Sequence, residues 1–205
     1  GRAGKENKSA SETFKRTGRI EEKEKRKRIV RMSKYDVIII GAGPAGIFTA
    51  LEVIRHKPDQ KILMVEKGKP VDKRHCPKAE TGKCMNCKPN CMITTGFSGA
   101  GAFSDGKLSL SYEVGGDLPT LIGEDFAQEL INYTDKIYLE FGADEHVEGN
   151  YEGEEIKEIR KRAIRAGLQL VNCPIRHLGT EKAQQLYLNI QNYLQKKGVE
   201  MLFNT

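Results

Sequence analysis

Three groups of residues in this 205-residue chain have the types and spacing to do chemistry. The first is Gly41-Ala42-Gly43-Pro44-Ala45-Gly46, spaced G-x-G-x-x-G. In such a run the first glycine takes a tight turn, the second lets a pyrophosphate approach the backbone, and the third lets the following helix pack closely on the preceding strand. Glu66 stands 20 residues beyond Gly46, where a carboxylate accepts hydrogen bonds from a ribose diol, with Lys67 beside it. The chemistry implied is dinucleotide binding, with phosphates at the helix N-terminus.

The second group is Cys76, Cys84, Cys87 and Cys91, four of the five cysteines, spaced C-x7-C-x2-C-x3-C. Four thiolates can close a tetrahedral zinc site or hold an iron–sulfur cluster, and they can also act as free redox thiols; the spacing does not separate zinc from iron. Immediately afterwards comes a glycine-rich run, Ser98-Gly99-Ala100-Gly101-Ala-Phe-Ser104-Asp105-Gly106-Lys107. Its backbone can lie close to a flat ligand while Ser98, Ser104, Asp105 and Lys107 supply polar groups. The third group is Arg176-His177, the best candidates in the second half for gripping an anionic substrate and moving a proton.

These groups need elements to hold them. Val37 to Ile40 is a continuous apolar, β-branched run, as a buried parallel strand requires, and it leads into a helix over residues 44–56 and a second strand over 61–66. Residues 121–141 have apolar positions at helical spacing, 151–167 predict a charged helix stopped by Gly167, and 168–171 predict a short strand. Thr180 is placed to cap a helix over 181–197 that stops at Gly198, and 199–203 predict a third strand. The fold class is α/β, a Rossmann-like domain with a parallel sheet over residues 35–205. It is interrupted by a Cys/Gly-rich insertion and a helical segment, over about 67–178.

Gly-Pro-Ala-Gly after the first strand resembles the FAD-binding motif of the glutathione reductase-like flavoproteins with two dinucleotide-binding domains. Gly-Ala-Gly-Ala-Phe-Ser-Asp-Gly-Lys-Leu (99–108) and Cys-Pro-Ile-Arg-His-Leu-Gly-Thr (173–180) make the chain, from Tyr35 onward, similar to the uncharacterised FAD-dependent dehydrogenases of bacteria and archaea. That family has a glycine where this chain has Ser98. The resemblance implies FAD as cofactor, hydride transfer to or from the flavin of an unassigned substrate, and a glycine-rich loop lying along the isoalloxazine. It also implies a further substrate domain and return segment, so the chain is expected to be the N-terminal part of a longer enzyme.

The formal net charge is +6, but residues 1–34 hold thirteen Lys or Arg against five Glu, leaving the remainder near −2. So polar a tail cannot bury enough surface to fold alone; it is expected to be solvated, with residues 21–28 helical. No run approaches the roughly 20 apolar residues of a membrane span, and no signal-peptide apolar core follows the basic start. The expected setting is cytoplasmic. The expected partners are a small-molecule substrate and an electron carrier, with neither membrane nor nucleic acid. Two other readings stand beside the flavin oxidoreductase: a metal- or thiol-based redox sensor on a nucleotide-binding scaffold, and a non-catalytic truncated fragment.

Overall fold

The structure, a computed structural model, describes residues 34–149 and 152–205. The expected tail helix lies outside the described residues. Strand β1 (Val37–Ile40) leads through a glycine turn into helix α1 (Pro44–His56), and β2 (Ile62–Glu66) follows. A long connection contains the short helix α2 (Lys78–Thr81) and ends in β3 (Lys107–Ser109). Helices α3 (Leu118–Ile122), α4 (Glu124–Glu140) and α5 (Glu154–Arg165) come next, then β4 (Ile175–His177), α6 (Thr180–Lys196) and β5 (Glu200–Phe203).

The main sheet has three parallel strands in the order β1-β2-β5, with Ile38 opposite Leu63 and Val65 opposite Leu202. Parallel neighbours need crossover connections, and α1 and α6 end the two that occur here. Side chains alternate along a strand, so Ile39, Ile62 and Met64 share one face. They join a single core with Ile47, Leu51 and Ile54 of α1 and Leu186, Ile190 and Leu194 of α6. On the other face of β1, Ile38 is 39% and Ile40 77% exposed.

The first strand and first helix lie where the apolar pattern puts them. Three expectations are corrected. Residues 121–141 are not one helix: Gly123, with φ +85°, separates α3 from α4. Residues 168–171 pair with nothing as a strand, because their apolar side chains have no sheet to cover and stay exposed. The strand lies further on, at Ile175–His177, pairing antiparallel with β3 so that Lys107 faces His177 and Leu108 faces Arg176. Thr180 is the first helical residue of α6 rather than its cap; Gly179 holds the cap position without a side-chain bond. At the other end of α6, Gly198 (φ +92°) lets Val199 N–H reach back to Leu194 O (3.0 Å), which releases the chain into β5.

Candidate functional site

The turn between β1 and α1 is shaped by backbone contacts that only glycine permits. Gly41 has φ +95°, and its N–H donates to Val65 O (2.7 Å), tying the turn to β2. A Cβ at Gly46 would sit 2.1 Å from Gly41 O and 3.1 Å from Ile39 Cγ2, so α1 lies directly on β1 there. Gly43 is the contrast, because a Cβ on it meets nothing within 4 Å. Its backbone (φ −73°, ψ 178°) is open to any residue, and the space beside it is empty of protein. No side chain caps α1, its first turn holds no acid, and Pro44 brings no N–H. The first helical bond is Ile47 N–H to Gly43 O (3.0 Å), so the N–H groups of Gly43, Ala45 and Gly46 precede the ladder with the positive end of the helix dipole behind them.

Glu66 ends β2 and is 6% exposed. Its Oε2 accepts Ala42 N–H (2.8 Å) and its Oε1 accepts Gly68 N–H (2.8 Å). The carboxylate therefore clamps the glycine turn to the loop after β2. A carboxylate offers about four acceptor positions, so two are left after this clamp. Lys67 is exposed, and its carbonyl accepts Asn90 Nδ2–H (3.2 Å).

The glycine-rich run folds against this turn. Ser98 N–H donates to Ala42 O (2.6 Å), Phe97 N–H donates to Lys69 O (3.0 Å), and Phe97 is fully buried. Ser98 has φ +72°, the left-handed conformation natural to glycine. Its side chain is fully buried, and its Oγ has no hydrogen-bond partner among the described residues. Two of the glycines are small for packing rather than for a flat ligand. A Cβ at Gly101 would press on Ser98 Oγ (3.0 Å) and Tyr187 Oη (3.2 Å), and one at Gly106 on Leu178 (2.9 Å) and Ala183 (3.0 Å). Gly99 and Ala100 lie towards the surface. Ser104 Oγ closes the run locally, donating to Gly101 O (2.9 Å) and accepting Gly106 N–H (3.2 Å).

Arg74, which no spacing singled out, holds the loop in place. Its guanidinium is buried and donates to Met92 O (2.9 Å), Ile93 O (2.5 Å) and Phe97 O (2.7 Å), with its carbon 4.5 Å from the centre of the Phe103 ring. Burial pushes its pKa down, and the Glu66 carboxylate pulls it back up. Only the fold reveals this role, because in sequence Arg74 is one of several cations in a polar loop.

The four cysteines are not gathered into a ligand cage. Among the described residues no group of three or more His, Cys, Asp or Glu side chains is placed to hold a metal ion, and all five cysteines are free thiols. Sequence proximity put Cys76, Cys84, Cys87 and Cys91 in one loop, but that loop is organised by the carbonyls around Arg74 rather than by the sulfurs. Cys91 stands apart chemically: hydrogen bonds from Thr94 N–H and Ile93 N–H lower its thiol pKa.

Arg176 is likewise occupied internally. It is 4% exposed, and its Nε and Nη2 donate to Asp135 Oδ1 (2.5 Å) and Oδ2 (2.7 Å), while Nη1 donates to Asp144 O (2.5 Å). The bond to Asp135 raises its pKa, and its guanidinium pins β4 to α4 instead of facing an anion. His177 points outward from the same strand, with Nδ1 4.0 Å from Glu148 Oε1. Next to it Lys107 Nζ bonds Asp105 Oδ2 (2.9 Å), which holds the Asp105 carboxyl below and the Lys107 ammonium above their usual ranges. Asp105, Lys107, His177 and Glu148 therefore form an exposed polar group at the end of the glycine run.

No protein-family model matches the chain. An uncharacterized protein of Clostridium beijerinckii is 40% identical over 72 residues, 35% of this chain and 13% of that protein. Among solved structures, the chain is similar to 3-ketosteroid-Δ4-(5α)-dehydrogenase from Rhodococcus jostii RHA1 (13% identity, 83% of this chain and 38% of that one, TM-score 0.45). It is also similar to L-amino acid deaminase from Proteus vulgaris (15% identity, 83% of this chain and 40% of that one, TM-score 0.34). The chain thus spans well under half the length of these proteins, and likeness at this level carries no argument about activity. No helix among the described residues is long and apolar enough to cross a membrane.

Proposed function

We propose that this chain is the FAD-binding part of a flavin-dependent oxidoreductase. The observation that carries the reading is the uncapped N-terminus of α1 with open space at Gly43, joined through Ala42 to both the Glu66 carboxylate and the Ser98 amide. That combination fits a pyrophosphate at Gly43, Ala45 and Gly46 and a ribose near Glu66. The run from Gly99 to Lys107 is then on hand to border the rest of the cofactor, with Asp105 and Lys107 as its polar end. Bound flavin would supply the hydride chemistry, and the protein would supply binding, orientation and electrostatics. His177, exposed beside Lys107 and Asp105, is the residue here suited to exchanging a proton with a substrate. Substrate recognition by Arg176 is not part of the proposal, because its donors are spent on Asp135 and Asp144.

The test is a titration of FAD with the chain, followed by quenching of flavin fluorescence and by competition with ADP. Saturable quenching that ADP reverses is the expected result, since turn and acid recognise the ADP half. Absence of binding by both FAD and ADP would remove the proposal.

A second reading draws on the lowered Cys91 thiol: the loop is a thiol sensor and the nucleotide fold its scaffold. It predicts rapid modification of Cys91 by small disulfides whether or not nucleotide is bound.

A further inference from the structure

Helix α5 is amphipathic, and among the described residues only Ile156, Arg160 and Ala163 of it reach half-burial. Ile156, Ile159, Ala163 and Ala166 recur along one side at spacings of three and four, yet none of its side chains is buried. Ile159 is 41% and Ile164 71% exposed. After Gly167 ends the helix, Leu168, Leu170 and Val171 continue the apolar surface and are themselves exposed. The backbone holds this run beside the helix: Leu168 N–H donates to Ala163 O (2.8 Å), and the Arg160 guanidinium bonds the Asn172 side chain. A shallow concavity lies between the helix and Leu168, bordered by Ile159, Ala163 and Ala166 together with Arg162 and Arg165.

The charges say what would cover this surface. The acids of α5 are confined to its first turns, at Glu154, Glu155 and Glu158; from residue 159 to 171 there are four cations, Arg160, Lys161, Arg162 and Arg165, and no acid. An amphipathic helix that docks in a protein groove does so through anchors at i, i+3, i+4 and i+7. Here the apolar surface is broad, runs off the helix into an extended segment, and has basic side chains along it whose long stems can keep their charges in a headgroup layer. We propose that α5 and residues 168–171 form a site that lies on an anionic lipid surface. The absence of a spanning helix does not oppose this, because such a helix lies in the interface plane and needs no span. The proposal is independent of the flavin reading.

The basic residues 1–34 could carry the chain to the same vesicles by charge alone, so the test must read insertion at α5. The chain has no Trp, which makes Leu168→Trp in the full chain a clean probe. With vesicles of phosphatidylcholine and phosphatidylglycerol, its emission should shift to the blue and become shielded from iodide, with no change for phosphatidylcholine alone. Adding Ile159→Glu and Ile164→Glu should weaken this partitioning at least about tenfold, while circular dichroism shows the helix content kept. Unshifted emission with anionic vesicles would overturn the proposal even if the chain sediments with them, since the tail explains sedimentation. So would a shift that survives both Glu substitutions. A blue shift without lipid that grows with chain concentration would assign the surface to a second copy, and a shift produced only by an acidic protein would assign it to a protein partner; either outcome overturns the lipid proposal.

Discussion

The β1–α1–β2 unit and helix α5 are both made from regular, apolar-patterned sequence, and they end in opposite states. In the first, Gly46 brings helix and strand backbones into contact, and Ile47, Ala50, Leu51 and Ile54 are buried. In the second, a comparable periodicity buries no side chain. Periodicity states which face can be buried, while burial itself depends on whether a neighbour lies within reach. For α1 the neighbour is the adjacent strand in sequence, and for α5 the described residues offer nothing that buries a side chain completely.

Substitutions that separate the two regions should differ widely in cost. The largest effect belongs to Gly46→Ala, whose methyl group would overlap Gly41 O; because backbone cannot yield cheaply, a loss of about 3 kcal/mol or more is expected in denaturant unfolding. Arg74→Met comes next, since it leaves three carbonyls without their donor; about 3 kcal/mol is expected, with faster proteolysis in the loop over residues 84–97. At the far end, Ile164→Ser on α5 should change stability by less than about 0.5 kcal/mol, and a larger loss would mean that α5 has a partner within the fold.

Cys91 sharpens the comparison without touching stability. With its thiol pKa lowered by the Thr94 and Ile93 amides, Cys91 carries a larger share of thiolate at a given pH than an ordinary cysteine does. Its alkylation by iodoacetamide should therefore rise at lower pH than that of N-acetylcysteine. Coincident pH profiles would show that the amides do not act on the sulfur.

Much of the β1–α1–β2 unit was legible in sequence because its determinants are local. A β-branched run, glycines at fixed offsets and a following strand leave few alternatives for residues 37–66. Several other readings turn on partners distant in the chain. The cysteines look like a cage because they are close in sequence, but the group that organises their loop is Arg74, through carbonyls at 92, 93 and 97 that no pattern marks. Arg176 looks like an anion grip until Asp135, 41 positions earlier, arrives across the fold to take it. Leu168 to Val171 look like a strand by composition, and only the absence of a neighbouring edge shows that they are not.

The central claim is that the space at Gly43 is for a pyrophosphate, and Gly43→Val tests it most directly. The position has an ordinary φ and, apart from its two chain neighbours, no protein atom within 4 Å of a Cβ, so the fold should tolerate the change and the thermal midpoint of the nucleotide-free chain should stay where it is. The measurement is FAD affinity of this variant beside the unaltered chain. The account predicts a loss of at least about a hundredfold, from a side chain occupying the phosphate position at an unchanged fold. Equal affinity for FAD in the two proteins, with both folded, would contradict it.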